Sequence, residues 1–180
     1  MPKTSAGLLP YRRCDGRLEV FLVHPGGPFW MHKDTHAWSV AKGEVEPDEA
    51  LLDAARREFS EETGITLAGP AVPLAPIRQA AGKMVHAWAV EADIDPSVVR
   101  SNSFPLEWPP RSGQIREVPE IDRAAWFDLA EARRRSTRDR PHCSANFNES
   151  SAGSRRLGMR VTARSCPHAH IGQTGHVIDT

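Results

Sequence analysis

The sequence predicts an α/β fold, and three observations carry that prediction. Apolar, strand-like runs alternate with turns from residue 4 to about residue 134. One amphipathic helix stands out between Pro47 and Glu62. A second strong strand, Lys83 to Ile94, and a last one, Ala124 to Phe127, then return the chain to a sheet.

Taken in order, Ser5 to Tyr11 and Leu18 to His24 read as two strands around a turn at Cys14-Asp15-Gly16, a hairpin. Pro25-Gly26-Gly27-Pro28 breaks the chain into a loop. Trp38 to Val40 is a short strand before Lys42-Gly43. Pro47 suits the first turn of the helix, Glu46, Asp48 and Glu49 suit its positive end, and Gly64 stops it. Leu51, Ala55 and Phe59 recur at the spacing of a helix packed on a sheet. In the strand that follows, Val85, Ala87 and Ala89 share one face and His86, Trp88 and Val90 the other. Pro105 to Pro119 is proline-rich and irregular, and Asp128 can cap a final helix through Arg135.

The predicted domain spans residues 1–135. Residues 136–180 differ from it: they are poor in Leu, Ile, Val and Phe and carry six arginines against three acids. Such a segment cannot bury enough apolar surface to fold, so a basic, disordered tail is expected. The abrupt change after Arg135 also fits a shifted reading frame, which re-sequencing the source gene would test. A chain of 180 residues is long enough for one core. Its 23 basic and 23 acidic residues cancel, which argues against a general attraction to nucleic acid or membrane. Any phosphate must then be bound by a local site. Cys14, Cys143 and Cys166 show no paired spacing, and Cys166-Pro-His-Ala-His is too sparse for a metal. With no apolar leader and no run of ~20 apolar residues, a cytoplasmic protein with reduced thiols is expected.

The chemistry is concentrated in Gly43-(x5)-Glu49-(x7)-Arg57-Glu58-Phe59-Ser60-Glu61-Glu62-Thr63-Gly64-Ile65. Glu58, Glu61 and Glu62 stand at i, i+3 and i+4, hence on one helix face. Like charges at that spacing repel by roughly 0.2–0.5 kcal/mol per pair, and acids at a helix C-terminus cost about 0.3–1 kcal/mol each. Helix stability alone therefore disfavours the arrangement. A hard divalent cation with oxygen ligands removes the penalty. Gly43 lets the backbone come close to a metal or phosphate, and Arg57 is a fixed, always-charged fork that can hold a neighbouring carboxylate.

This pattern matches every constrained position of the Nudix signature, and the chain resembles the Nudix hydrolases over about three quarters of its length. The resemblance implies an α/β/α sandwich with a mixed sheet and a Mg²⁺-dependent hydrolysis of a pyrophosphate bond, with Mn²⁺ a possible substitute. It implies Glu58 and Glu62 as the main metal ligands, Glu61 as ligand or water activator, and a backbone carbonyl near Lys42–Gly43 completing the set. Glu49 and Arg57 would support them through charge pairing. A further glutamate from outside the signature is expected, with Glu117 and Glu120 as the candidates. The expected substrate is a small nucleotide-type molecule, a nucleoside triphosphate or dinucleoside polyphosphate first. A non-nucleotide diphosphate, or a nucleotide-sensing module that binds without hydrolysis, is the alternative.

Lys42 is the candidate phosphate contact and Trp38 the candidate base platform, with Trp30 and Trp108 also able to stack. Trp38-Ser-Val-Ala-Lys-Gly resembles the Trp-x-x-Pro-Lys-Gly that precedes the signature in diadenosine polyphosphate hydrolases of this family, with Ala41 in place of the proline. Arg78 and Arg111 are further phosphate candidates.

Overall fold

The computed structural model describes residues 3–136. All of the predicted tail except Ser136 lies outside the described residues. Strand β1 (Thr4–Cys14) turns into β2 (Arg17–Pro25) through Asp15 and Gly16, at φ of 48° and 75°. Positive φ at both central residues gives a two-residue connection whose twist matches that of the strands, so Cys14 and Arg17 close the ladder.

The short strand expected at Trp38 to Val40 lies later, as β3 (Ala41–Glu44), antiparallel to the first half of β1. Trp38 and Ser39 form only isolated bridges, to Ser136 and Val23. Helix α1 (Leu51–Thr63) begins at Leu51 rather than at Pro47. Asp48 takes a φ of 63°, incompatible with a helix, and the Glu49 carboxylate bonds the Glu46 N–H across this turn. The C-terminus is as expected: Gly64 at φ 72° donates its N–H to the Ser60 carbonyl.

Beyond α1 come β4 (Ala71–Pro73), β5 (Ile77–Arg78) and β6 (Met84–Glu91), then a single 3₁₀ turn at Pro96–Val98. Strand β6 runs parallel to β1 along its whole length, and the other strand pairs are antiparallel, so the sheet is mixed. The stretch read as irregular is instead a two-stranded ribbon of β7 (Ser103–Glu107) and β8 (Ile115–Pro119). Strand β9 (Ile121–Asp128) returns to the sheet beside β2, and Asp128 caps α2 (Leu129–Arg135) by accepting the Glu131 N–H.

One helix covers each face of the seven-stranded sheet. Ala6, Leu8, Phe21, Ala54, Ala55 and Phe59 build the core under α1, and Leu9, Val20, Leu22, Trp38, Phe127 and Ala132 the core under α2. The alternation along β1 sorts the residues: Ala6 and Leu8 point to one helix, Leu9 and Tyr11 to the other. Among the described residues, no helix is long and apolar enough to cross a membrane.

Trp38 belongs to this core and not to a substrate platform. It is 4% exposed, meets Phe127 and His24 edge-on at centroid distances of 4.8 and 5.2 Å, and donates its indole N–H to Asp34. The Arg123 guanidinium lies over its ring. Trp38→Ala should therefore act on stability, costing about 3–5 kcal/mol in denaturant unfolding. A loss below about 1 kcal/mol would contradict this placement.

Candidate active site

The site forms where β3 passes beneath α1. The β1–β3 register pairs Gly43 with Ala6, whose side chain faces the α1 core. Gly43 therefore presents its bare Cα to the helix, and Glu58 occupies the space: a Cβ at Gly43 would fall 1.9 Å from Glu58 Oε2. One residue earlier, the Lys42 N–H donates to Glu62 Oε2 at 3.0 Å. The spacing of β3 thus places two signature glutamates against consecutive backbone units.

Arg57 organises the opposite side. Its Nε and Nη2 hold Glu49 in a two-pronged pair at 2.8 and 2.9 Å, and Nη1 bonds Glu58 Oε1 at 2.8 Å and Glu61 Oε2 at 3.1 Å. Nη2 also donates to the Glu44 carbonyl of β3 at 3.2 Å, which ties the helix to the strand. A planar guanidinium can serve all these acceptors at once and an ammonium cannot. The pair with Arg57 holds the Glu49 carboxyl down to about 2.

Glu58 and Glu62 carry the electrostatic strain. Burial pushes the Glu58 carboxyl up, opposed by Arg57. Burial pushes Glu62 up to about 7, opposed by Lys42 and reinforced by the like charges of Glu120 and Glu58. Glu61 is half exposed at the rim. Glu120, exposed on the turn before β9, lies outside the signature and its charge reaches Glu62. Glu117 instead lies on the ribbon, opposite Pro105 and on the other face from Val118, which packs against Gly27.

Of the residues expected from the sequence, Glu49, Arg57, Glu58, Glu61, Glu62, Lys42 and Gly43 come together in the fold, whereas Glu117 lies on the ribbon. Trp38 is elsewhere, in the core. Trp30 is half-buried against the same core, Trp108 meets Phe29 edge-on at 4.7 Å, and Arg78 and Arg111 are exposed.

A hard divalent cation fits these residues by donor chemistry: the carboxylates of Glu58, Glu62 and Glu120 and the nearby backbone of β3 offer only oxygen. A partly buried carboxylate raised by the like charges of two others is also a place where added positive charge is favourable. Among the described residues, no three acids or histidines stand gathered as a finished metal cluster, and Arg57 bonds both Glu58 and Glu61.

The NUDIX domain model matches residues 1–147. An RNA pyrophosphohydrolase of Bartonella henselae is 40% identical over 68 residues, 32% of this chain and 38% of that protein. An asymmetrical bis(5'-nucleosyl)-tetraphosphatase of Caenorhabditis elegans is 39% identical over 62 residues, 34% of this chain and 41% of that protein. The chain thus spans about two fifths of these relatives' length. Among solved structures, the NUDIX domain of Shewanella oneidensis NrtR, complexed with ADP ribose, shares the fold at a TM-score of 0.50. It is 14% identical, over 79% of this chain and 82% of that one. With its mixed sheet between two helices and the complete signature wrapped around Arg57, this chain belongs to the NUDIX family.

Proposed function

We propose that this protein is a Mg²⁺-dependent pyrophosphohydrolase that uses water to split a phosphoanhydride bond in a nucleotide-type substrate. The observation that carries the reading is Glu62, a partly buried carboxylate that accepts the Lys42 N–H of β3 and feels the like charges of Glu58 and Glu120. Folding gains nothing from that crowding, whereas a cation bound there reverses its sign.

In this reading Glu58, Glu62 and Glu120, with the Gly43 backbone, hold the ion. When bound, Mg²⁺ neutralises phosphate charge and lowers the pKa of a coordinated water. Arg57 keeps Glu58 and Glu61 in fixed orientations, and the Lys42 ammonium attracts the phosphate chain. Glu61, tethered through one oxygen and open to solvent, takes a proton from the attacking water. The water oxygen bonds to phosphorus, the bridging P–O bond breaks, and the leaving phosphate departs with the electron pair. The names of the two curated relatives support polyphosphorylated nucleotides as the substrate class.

The test is phosphate or nucleotide release from nucleoside triphosphates, dinucleoside polyphosphates and a 5′-triphosphorylated RNA oligonucleotide, with Mg²⁺ and with chelator. At least one substrate should turn over only with the cation, and Glu61→Gln should lower kcat by about 10²-fold with KM little changed. Binding across the panel without turnover would overturn the reading in favour of a nucleotide sensor.

A further inference from the structure

The backbone around Glu120 is held at three successive points by segments remote in sequence. The Glu120 N–H donates to the Asn102 carbonyl at 2.8 Å, the Glu120 carbonyl accepts the Gly26 N–H at 2.9 Å, and the Ile121 N–H donates to Ser101 Oγ at 2.8 Å. The Ser101 hydroxyl in turn donates to the Asn102 carbonyl at 2.9 Å. A single hydroxyl thus accepts from the peptide after Glu120 and steadies the carbonyl that receives the peptide before it.

The other end of this short segment is fixed to α1. The Arg100 N–H donates to the Thr63 carbonyl at 2.8 Å, directly after Glu62. Gly64 makes room for that approach, since a Cβ there would stand 3.1 Å from the Arg100 carbonyl oxygen. The chain from Arg100 to Asn102 is therefore a strut between the helix end that carries Glu62 and the turn that carries Glu120.

We infer that Ser101 is a positioning residue that fixes the Glu120 turn beside the helix end carrying Glu62, and so sets the affinity of the cation site. The inference rests on the proposed role of Glu120. Removing the hydroxyl leaves the Ile121 N–H without this acceptor and frees the turn that carries Glu120 to shift from the end of α1. Losses of outer groups that orient metal ligands run at roughly 10- to 100-fold in affinity.

The experiment is Mn²⁺ binding to the full chain without substrate, followed by the electron paramagnetic resonance of free Mn²⁺. Wild type is compared with Ser101→Ala, Glu120→Gln, the double variant, and the isosteric pair Ser101→Thr and Ser101→Val. Ser101→Ala and Ser101→Val should weaken binding by about 10-fold. Ser101→Thr should bind like wild type, and Ser101→Ala should add nothing in the Glu120→Gln background. A weakened Glu120→Gln beside an unchanged Ser101→Ala, or effects that multiply in the double variant, overturns the role of Ser101 alone. An unchanged Glu120→Gln removes Glu120 from the site, and Mn²⁺ that fails to bind wild type removes the site itself. Unfolding of both hydroxyl-free variants at 25 °C makes Ser101 a part of the fold's stability and also overturns the inference.

Discussion

Glu62→Gln should yield a protein that is nearly inactive and, without metal, more stable than wild type. Activity should fall by about 10³-fold, because a ligand carboxylate contributes charge stabilisation worth several kcal/mol that an amide does not supply. Stability should move the other way. Burial and the neighbouring carboxylates raise the Glu62 carboxyl to about 7 in the folded state, against 4.5 as its ordinary value. A raised acid favours folding below its unfolded pKa, and that advantage is lost as pH rises through the folded pKa. At pH 8 the ionised group is thus a full burden on the apo fold. Glutamine removes the charge and keeps an oxygen for the Lys42 N–H, so a gain of about 1–2 kcal/mol is expected in chelator at pH 8. The gain should shrink at pH 5.5, where wild type is already mostly protonated. Mg²⁺ should raise the melting temperature of wild type and leave the variant unmoved. An apo variant that melts below wild type at pH 8 would contradict the picture of Glu62 as a strained carboxylate.

The same physics separates what was legible in the sequence from what was not. Glu58, Glu61, Glu62 and Arg57 were readable because helical spacing alone puts acids on one face and a guanidinium beside them. Glu120 could not be told from Glu117 by spacing. The difference depends on the pairing of β7 with β8 and on contacts from Gly26 and Asn102, all long-range in sequence. The ribbon itself was hidden by Pro105 and Pro119, which break the alternation a strand normally shows. A free two-stranded ribbon tolerates them because its outer edges need no donor. Trp38 misled for a different reason: a tryptophan beside a lysine and a glycine reads alike whether its ring faces a ligand or the core. Its position in the α2-side core follows from the bridges of Trp38 to Ser136 and of Ser39 to Val23, which no local pattern announces. The helix start failed on one backbone angle. Asp48 at φ 63° breaks the helical path after Pro47, and the Glu49 carboxylate in this turn pairs with Arg57.

Gly43→Ala should disable the site while leaving the fold almost untouched. Its φ is not of the left-handed kind that demands glycine, so the backbone accepts alanine. The obstacle is the space above it. The new methyl would fall 1.9 Å from Glu58 Oε2, 2.1 Å from its Cδ and 2.5 Å from its Oε1, so the whole carboxylate must move. A glutamate side chain can swing away at little energetic cost, which keeps the expected stability loss within about 1 kcal/mol. Function does not share that tolerance. Glu58 would lose its bond with Arg57 Nη1, the methyl would cover the β3 backbone, and one acid would leave the group around Glu62. Misplacement of about 1 Å in a reacting constellation can cost 10²-fold, so kcat/KM should drop by at least about that factor with Mn²⁺ affinity falling in parallel. Removing the displaced group as well, in Gly43→Ala/Glu58→Gln, should cost little more than either change alone, because both abolish the same placement. Full activity in Gly43→Ala would mean that Glu58 works from another position, and the close packing of strand β3 against helix α1 would lose its functional meaning.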